Sequence, residues 1–344
     1  MNKKFLFTCD SGLEHITCRE VKERFPEATV GRYYNFSRRI IAEGDLSWED
    51  FLSLRSIQDV IEIRQEFVLD EITLESWQSA LRPELFPELD EVASFRVTSD
   101  RWGNQDLRTM DMQAAMGSRL IECYGLSVEL DRFQINIRAD LLGSRGFVGI
   151  QHTRQPLSKR GSQRPFHHKA GLKPTIAYAM LQMAEIQAGH TLLDPMCGSG
   201  TILLEAAECL PKGVRLLGGE LRPEIAEGAQ ENITHSGYTI ELYPEADARH
   251  LGEYFGEERV DRVVCNLPYG IQSGKNQRIR GLYEQFLSSL APLMPPESKV
   301  VLLTARPDAL RHVLLKLKTF KIITETVIES GGLYPHIFQL EKIK

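Results

Sequence analysis

Apolar and polar residues follow two periods in turn along residues 1 to about 62. Runs with period two predict strands, and apolar residues spaced three and four apart predict amphipathic helices. The elements predicted in this way are a strand at 4–8, a helix at 13–24, two short strands within 31–43, and a helix at 47–54 capped by Ser47. The pattern predicts a small α+β module.

From about residue 63 the alternation of elements restarts. The pattern predicts strands at 63–68, 94–98, 128–130, 134–138 and 147–150, with helices at 73–81 and 110–124. One face of the second helix carries Met112, Met116, Leu120 and Ile121. Such a face is more typical of core packing than of a ligand site. Residues 63–155 are therefore predicted to form a second α+β module.

The next segment, 156–172, is rich in polar residues and contains Pro156, Gly161, Pro165 and Gly171. This composition predicts a linker. After it, residues 173–344 alternate apolar strands with helices, which predicts an α/β domain with a Rossmann-like sheet. The predicted strands are 192–194, 214–219, 240–243, 260–265, 299–303, 322–328 and 336–340, and the predicted helices are 176–187, 201–207, 282–293 and 307–317.

A glycine-containing turn joins the first of these strands to its helix, from Asp194 to Thr201. Gly198 and Gly200 allow a tight bend and bring peptide N–H groups close to a ligand at the start of a helix. The dinucleotide fingerprint requires a further glycine where this chain has Leu203, and Asp194 would repel a pyrophosphate. An acid suits a cation instead, such as the ammonium group of S-adenosylmethionine.

Three more strands end at polar residues, and ligands bind at the carboxyl ends of strands in open α/β sheets. Glu220 is placed to accept hydrogen bonds from ribose hydroxyls, and Asp247 to accept one from an adenine amino group. The alternative is a plain doubly wound domain in which these acids cap helices. The number of strand ends that carry such groups favours a cofactor site.

The fourth strand ends in Asn266-Leu267-Pro268-Tyr269, and all four residues are candidate catalytic residues. The side-chain oxygen of Asn266 and the carbonyl of Leu267 suit the hydrogens of a base amine, Pro268 stiffens the turn, and Tyr269 offers a face for stacking. The preceding Cys265 lies in an apolar strand and is interpreted as a buried structural thiol.

These two motifs resemble those of amino-directed S-adenosylmethionine-dependent methyltransferases, in particular the THUMP-domain RNA guanine-N2 methyltransferases. Met196 stands where the general loop has its first glycine, and Leu267 stands where Asn-Pro-Pro-Tyr proteins have proline. The terminal hairpin, whose last strand runs antiparallel, is also typical of methyltransferase sheets. For the part of the chain before the linker, the resemblance implies a ferredoxin-like module at 1–62 and a THUMP module at 63–155 that binds structured RNA.

The resemblance also places the helix at 176–187 beside the cofactor, so Thr175 either contacts the methionine end or only caps that helix. The candidate cofactor-binding residues are Thr175, Asp194, Cys197, Gly198, Gly200, Thr201, Glu220, Asp247, Ala248 and Asn266.

The net charge of −6 by itself argues against a nucleic-acid partner, but the charges are unevenly distributed. No acid occurs between Asp140 and Glu185, or from Arg262 to Tyr283, and both stretches carry basic residues. A solvated face is the ordinary explanation of such runs, yet these two flank the cofactor motifs. The candidate RNA-binding residues are Arg154, Lys159, Arg160, Arg164, Lys275, Arg278 and Arg280.

Composition changes the picture little: 344 residues, 42% hydrophobic and 26% charged, are ordinary for a soluble protein of several domains. No run is long enough to span a membrane, and the opening segment loses its hydrophobicity too soon for a signal peptide. The six cysteines show no metal spacing, so reduced thiols, a cytoplasmic location and no metal are expected. We also expect a monomer.

The predicted function is S-adenosylmethionine-dependent N2-methylation of a guanosine in structured RNA. Size and a single catalytic domain resemble the enzymes that modify guanosine 6 of the tRNA acceptor stem. The alternatives are a 23S rRNA guanine-N2 methyltransferase, a DNA adenine-N6 methyltransferase with the same tetrapeptide, and a non-catalytic RNA-binding protein with a vestigial domain.

Overall fold

The computed structural model describes residues 2–104, 106–161, 163–168, 171–269 and 276–343, with all side chains in these ranges except those of 276–278. It contains two compact units. The first unit is Met1–Cys9 with Thr17–Leu157, and the second unit is Asp10–Ile16 with Ser158–Lys344. None of the helices in the described ranges is long and apolar enough to cross a membrane.

A mixed sheet forms the frame of the first unit. Its strands are β1 (Lys3–Cys9), β2 (Thr29–Arg32), β3 (Arg39–Gly44), β4 (Ile57–Val68), β5 (Ser94–Thr98), β6 (Arg101–Trp102), β7 (Ser127–Val128), β8 (Ile135–Leu142) and β9 (Arg145–Gln151). The strand order is β2-β3-β1-β4-β9-β8-β5-β7, with β6 paired to β8. The helices are α1 (Glu14–Arg24), which belongs to this unit from Thr17 onward, α2 (Leu74–Ser79) and α3 (Thr109–Tyr124). The predicted α+β character is confirmed.

Strand β4 lies at the centre of this sheet and runs without interruption through residues 62 and 63. It pairs antiparallel with β1, where Leu6 is opposite Ile61, and with β9, where Phe147 is opposite Glu66. The boundary predicted after residue 62 therefore falls inside one strand. The division into 1–62 and 63–155 stays a prediction.

Two local predictions in the first unit need correction. The helix expected at 47–54 is a 3-10 helix, Trp48–Ser53, because Phe51 alone of its residues is buried and a longer amphipathic face is missing. On α3, Met112, Met116 and Leu120 are buried as predicted, whereas Ile121 is 42% exposed. Ile121 is one position beyond Leu120, and a step of one residue turns a side chain away from the buried face.

The second unit is built from alternating strands and helices. Its strands are β10 (Thr191–Asp194), β11 (Arg215–Glu220), β12 (Glu241–Pro244), β13 (Arg262–Asn266), β14 (Lys299–Thr304), β15 (Phe320–Val327) and β16 (His336–Lys342). Its helices are α4 (Pro174–Met183), α5 (Thr201–Cys209), α6 (Pro223–Ser236), α7 (Leu251–Phe255), α8 (Asn276–Leu290) and α9 (Pro307–Leu317).

The sheet of the second unit has the order β12-β11-β10-β13-β14-β16-β15. The first five strands are parallel, and β16 pairs antiparallel with both β14 and β15. This arrangement confirms the predicted Rossmann-like methyltransferase sheet with an antiparallel terminal strand. Its parallel strands end at one edge, so Asp194, Glu220 and Asn266 reach the same edge.

Continuous apolar runs explain why these strands occupy the middle of the sheet. Val263, Val264 and Cys265 on β13 are all fully buried, which requires cover on both faces. Helix α6 was not predicted because it carries few apolar residues, but it starts at Pro223 and is capped at its C-terminus by Gly237, whose φ is +72°. Both residues have the properties of helix boundaries.

The segment Asp10–Ile16 belongs to the second unit although it lies 142 positions before Ser158. Leu13 and Ile16 pack in the same core cluster as Ile176 of α4. Gly12 has a φ of +88°, and a Cβ there would lie 2.1 Å from the carbonyl oxygen of Val327. The second unit is therefore assembled from two separate stretches of the chain.

Candidate functional site

The turn between β10 and α5 has the geometry that its glycines predict. Gly198 and Gly200 have φ values of +56° and +80°, in the left-handed region that favours glycine. A Cβ on Gly198 would meet nothing within 4 Å, so the turn faces open space. Thr201 starts α5 and is buried, and Gly200 precedes it as the N-cap. The turn can receive a ligand against bare backbone.

Asp194 ends β10 and is 1% exposed. Burial raises its pKa to about 7, and the Glu220 carboxylate adds to this rise, while hydrogen bonds from the Met196 backbone and the Cys265 thiol oppose it. The Met196 N–H donates to Asp194 Oδ1 over 3.3 Å. Among the described residues no cation pairs with Asp194. The carboxyl group is therefore suited to a cationic ligand.

Glu220 ends the neighbouring strand β11 and ties the glycine turn to it. Its Oε2 accepts a hydrogen bond from Gly198 N at 3.1 Å, and its Oε1 accepts one from Arg222 N at 3.0 Å. Each carboxylate oxygen retains a second lone-pair direction. The same side chain can thus hold the turn and still accept from a ribose hydroxyl.

Cys197 and Cys265 both lie close to Asp194, and both are buried. Burial raises the pKa of each thiol well above its usual value, and the negative Asp194 strengthens that effect. A protonated thiol is a poor nucleophile. These cysteines are suited to packing, in agreement with the structural interpretation of Cys265.

Asp247 and Ala248 follow β12 in a short 3-10 turn. Asp247 accepts hydrogen bonds from the backbone N–H and the guanidinium of Arg249, with Arg249 Nε 2.9 Å from both carboxylate oxygens. These hydrogen bonds hold the pKa of Asp247 below its usual value. The buried Ala248 presents its carbonyl to the Ser289 hydroxyl at 2.8 Å. Asp247 is thus ionised and held in one orientation.

The catalytic tetrapeptide continues directly from β13. The Tyr269 hydroxyl donates to Asn266 Oδ1 over 2.9 Å, so the two candidate residues contact each other. Leu267 is 1% exposed, and its N–H donates to the Leu303 carbonyl at 2.9 Å. Burial raises the pKa of Tyr269 to about 12, which keeps the phenol protonated. The Asn266 oxygen that the prediction assigns to a base amine accepts the Tyr269 hydroxyl here.

Thr175 lies in the first turn of α4 and is almost fully buried. Its hydroxyl donates to Asp10 Oδ2, and the ammonium of Lys173 lies 3.0 Å from Asp10 Oδ1. Asp10 itself is 3% exposed. Sequence reasoning missed Asp10, because it follows the first strand of the chain, far from any motif. The Thr175 hydroxyl therefore orients α4 through Asp10.

The predicted linker is anchored to helices of the second unit. Arg160 donates to Glu205 Oε1 over 2.6 Å, and Glu205 is completely buried on α5. The backbone N–H and carbonyl of Phe166 both pair with the amide of Asn232, which is 1% exposed. Buried polar anchors of this kind give the segment a defined path.

The anchored segment lines a cavity of about 280 Å³ at the start of α4 and α5. The basic and hydroxyl side chains in its wall are Ser158, Lys159, Arg160, Arg164, His167, His168, Lys173, Ser199 and Thr201. Arg164 Nη1 lies 3.5 Å from Thr201 Oγ1. Three of the predicted RNA-binding residues therefore meet at one cavity beside the glycine turn.

Of the other predicted RNA-binding residues, the two with described side chains, Arg154 and Arg280, are not in the wall of this cavity. Arg154 belongs to the first unit, where its Nη2 donates to the Phe133 carbonyl at 3.3 Å. Arg280 is exposed on α8. Lys275 and the side chain of Arg278 lie outside the described residues. In the described part of the chain, no group of three or more His, Cys, Asp or Glu is arranged to hold a metal ion.

Comparison with known proteins agrees with this geometry. The family model UPF0020, an RMKL-like methyltransferase domain, matches residues 161–336. A tRNA (guanine(6)-N2)-methyltransferase of Thermus thermophilus is 33% identical over 329 residues, which cover 95% of this chain and 91% of that protein. The crystal structure of TrmN from Thermus thermophilus has a TM-score of 0.87 at 32% identity, covering 99% of this chain and 100% of that one.

A more distant structure, SMU.472, is a putative methyltransferase complexed with SAH. It has a TM-score of 0.78 at 17% identity and covers 100% of this chain and 99% of its own, which shows a shared fold. The family model spans more than half of the chain, and a relative of one-third identity spans nearly all of it. The chain is therefore a methyltransferase and belongs to the RMKL-like UPF0020 family.

Proposed function

We propose that this protein transfers a methyl group from S-adenosylmethionine to N2 of guanosine 6 in the acceptor stem of tRNA. The observation that carries the proposal is the buried Asp194, which adjoins the glycine turn and contacts Cys265, the residue before the tetrapeptide. A cation site and an amine site thus lie side by side. The Thermus thermophilus relative, named as a tRNA (guanine(6)-N2)-methyltransferase, supports the choice of nucleotide.

The residues around the glycine turn fit this cofactor. Asp194 offers a buried negative charge to an ammonium group, and the open space at Gly198 admits a ligand against the backbone. Glu220 would accept from the ribose hydroxyls and Asp247 from the adenine amine. Cys197, Gly200, Thr201 and Ala248 stay proposed contacts, although the N–H groups of Cys197 and Gly200 already donate to the carbonyls of Gly219 and Cys197. Thr175 with Asp10 would orient α4. The bound cofactor supplies an electrophilic methyl group.

The tetrapeptide would orient the amine of the target base. An exocyclic base amine is a weak nucleophile, because its lone pair is delocalised into the ring, so alignment is most of the catalytic task. Asn266 Oδ1 and the Leu267 carbonyl would accept its two hydrogens, and Tyr269 would stack on the base. Asn266 Oδ1 accepts the Tyr269 hydroxyl, and its second lone pair can accept a hydrogen of the amine.

Contacts with the RNA backbone would come from both units. Lys159 and Arg164 at the cavity, with Arg280 on α8, would contact phosphates near the target nucleotide, and Arg154 would do so from the first unit. Arg160, whose guanidinium pairs with Glu205, stays a proposed contact. Lys275 and Arg278, just after the tetrapeptide, stay proposed contacts. Residues 1–62 and 63–155 would act as ferredoxin-like and THUMP modules that bind structured RNA.

The reduced cysteines expected from the sequence and a tRNA substrate support a cytoplasmic enzyme. We further propose that it acts as a monomer. Light scattering of the purified chain at micromolar concentration is expected to give the mass of one chain, 39.1 kDa, both alone and with cofactor. A mass of twice that value would overturn this part of the proposal.

The first test is a methyl-transfer assay with tritiated cofactor and unmodified tRNA, followed by nucleoside analysis. N2-methylguanosine should form in tRNA, and replacement of guanosine 6 by adenosine should abolish it. Total rRNA and duplex DNA are run in parallel. Methylation of rRNA only, or N6-methyladenine in DNA, would establish one of the alternatives. Cofactor binding without methylation of any of the three would count against the proposal, and absence of cofactor binding would point to a vestigial domain.

The second test removes the proposed amine acceptor. Asn266→Ala should lower kcat by at least about 100-fold and leave the cofactor Kd within twofold, because the amide acts on the amine. Asn136→Ala is the matched control: that buried amide accepts from Thr98 Oγ1 at 3.1 Å in the first unit. The control should lose stability but keep kcat. Loss of cofactor binding as the main effect of Asn266→Ala would refute the assigned role.

A further inference from the structure

The carbonyl of Pro268 is held by a side chain that no motif includes. Tyr283 on α8 is completely buried, and its hydroxyl donates to the Pro268 carbonyl at 2.9 Å. The same hydroxyl lies 2.8 Å from Oγ1 of Thr304, the fully buried last residue of β14. Pro268 has no N–H of its own, so its carbonyl is the only main-chain group through which hydrogen bonds can hold it.

These hydrogen bonds have a defined direction. A phenol has a single hydrogen, so Tyr283 donates it to Pro268 and accepts one from the Thr304 hydroxyl. Thr304 Oγ1 in turn accepts from the backbone N–H of Arg306 at 2.9 Å. The result is a continuous series from Arg306 N–H through Thr304 and Tyr283 to the Pro268 carbonyl. Hydrogen bonds in such a series strengthen one another in a buried setting.

The carbonyl of the next residue, Tyr269, is also held by a side chain. Arg306 Nε donates to the Tyr269 carbonyl at 3.0 Å. Before the proline, the Leu267 N–H donates to the Leu303 carbonyl at 2.9 Å, which extends the pairing of β13 with β14 by one residue. Three successive residues of the tetrapeptide are thus tied to the end of β14, the start of α9 and α8.

We propose that Tyr283, Thr304 and Arg306 are positioning residues for methyl transfer. They set the direction of the peptide that carries the Leu267 carbonyl and of the turn that carries Asn266 Oδ1, the two proposed acceptors of the base amine. The proposal rests on the proposed role of the tetrapeptide. None of the three residues needs to contact the base or the cofactor; they act through the backbone between 267 and 269.

Tyr283→Phe tests this idea, because phenylalanine keeps the buried ring and removes only the hydroxyl. In the full chain we expect kcat for tRNA to fall about 10-fold to 100-fold, since small misalignments in a reacting pair have effects of this size. The KM for tRNA and the cofactor Kd should stay within twofold. A residue needed only for folding would lower the active fraction, which titration of cofactor-binding sites measures.

The first unit supplies a matched control. The Tyr124 hydroxyl also donates to a proline carbonyl, that of Pro83, in a unit that contains none of the methyltransferase motifs. Tyr124→Phe removes the same kind of hydrogen bond and should change kcat by less than twofold. Equal losses of kcat in the two variants would overturn the proposal.

Thr304 provides a rescue experiment. Thr304→Ser keeps the hydroxyl and should keep kcat within about threefold, whereas Thr304→Val should lower kcat as Tyr283→Phe does. The double variant Tyr283→Phe with Thr304→Val should be no slower than the slower single variant, because both remove the same series. Multiplicative losses, or a serine variant as slow as the valine variant, would contradict the inference.

Asn266→Ala separates this inference from the proposed function. If Asn266→Ala lowers kcat and Tyr283→Phe does not, the positioning role fails and the tetrapeptide role stands. If neither variant lowers kcat, the proposed role of the tetrapeptide fails first.

Discussion

Two buried carboxylates, one in each unit, differ in how their charge is satisfied. Asp140 on β8 of the first unit is 0% exposed and accepts hydrogen bonds from Arg138 Nη2 at 3.1 Å, Arg39 Nη2 at 3.3 Å and Asp100 N at 2.8 Å. Asp194 in the second unit is equally buried, but its neighbours are a backbone N–H, a thiol and another carboxylate. The first charge has its cations inside the protein, and the second has none among the described residues.

This difference teaches how to separate structural from functional acids. A buried ion pair with both partners inside the fold holds separate parts of the chain together. Removing one partner leaves an uncompensated buried charge. A buried acid that lacks a cation has a raised pKa, and a cationic ligand that binds beside it stabilises its charged form. Asp140 belongs to the first class and Asp194 to the second. Four experiments test this assignment.

The largest effect is expected on stability. Asp140→Asn should lower the free energy of unfolding of the first unit by about 3–5 kcal/mol, because Arg39 and Arg138 lose their buried anion and keep only the half-exposed Asp100. Urea unfolding followed by circular dichroism measures this. Asp100→Asn is the control: Asp100 is half exposed and also bonds to Arg39, so its loss should stay below about 1 kcal/mol. Equal losses in both variants would remove the distinction.

The next effect is expected on ligand binding. Asp194→Asn should weaken S-adenosylmethionine binding by about 2–4 kcal/mol, or roughly 30-fold to 1,000-fold in Kd, because the ammonium loses its anion. The same variant should not destabilise the ligand-free protein. Calorimetric titration measures the cofactor Kd of both variants. Asp140→Asn should leave this Kd unchanged. A normal Kd for Asp194→Asn would place Asp194 in the structural class.

The third effect is on pH dependence. Burial raises the pKa of Asp194 to about 7, so cofactor affinity should rise about tenfold per pH unit from pH 5.5 toward 7 and then level. For the ligand-free protein the sign is opposite. The native state retains a proton that the unfolded state releases near pH 4, so this stability contribution is present below pH 4 and is lost as the pH rises through 7.

Titration of the cofactor at several pH values, in buffers of different ionisation enthalpy, measures both the affinity and the protons released on binding. Asp194→Asn should show neither the slope nor the proton release. A slope that persists in this variant would assign the titration to another group.

The smallest effect is expected on stability, for a second buried acid of the second unit. Asp10 is buried there but is paired with Lys173 and Thr175, so it resembles Asp140 in kind. Asp10→Asn should reduce the stability of the second unit by about 1–2 kcal/mol, as expected for hydrogen bonds to a charged group. Thr175→Ser, which keeps the hydroxyl, is the matched control and should lose less. Denaturant unfolding monitored at cofactor saturation and without cofactor compares them.

Much of the second unit could be predicted from the sequence, because local patterns carried the information. The helix at 307–317 was predicted to the residue, and each predicted strand from 192 onward exists, with ends shifted by a few residues. Strand ends in a parallel sheet meet at one edge, so the neighbourhood of Asp194, Glu220 and Asn266 followed from their positions in the pattern. What could not be predicted was the state of each side chain.

The side chains that hold the site come from parts of the chain that no motif marks. Arg160 resembled an RNA contact because it lies in a basic run, yet it pairs with the buried Glu205. No sequence signal singled out Tyr283, and only its placement near Pro268 shows the hydrogen bond. Such pairings depend on distances between elements, which periodicity does not contain.

By itself the sequence determined the order of strands in the second unit, the strand ends that carry polar groups and the turn chemistry of the glycines, since all three depend on neighbouring residues. The tertiary structure alone decided that residues 10–16 join the second unit, that β4 crosses the expected module boundary, and that Asp194 is buried with no cation among the described residues whereas Asp140 has two. The physical reason is that burial and charge pairing arise from contacts between residues far apart in the chain.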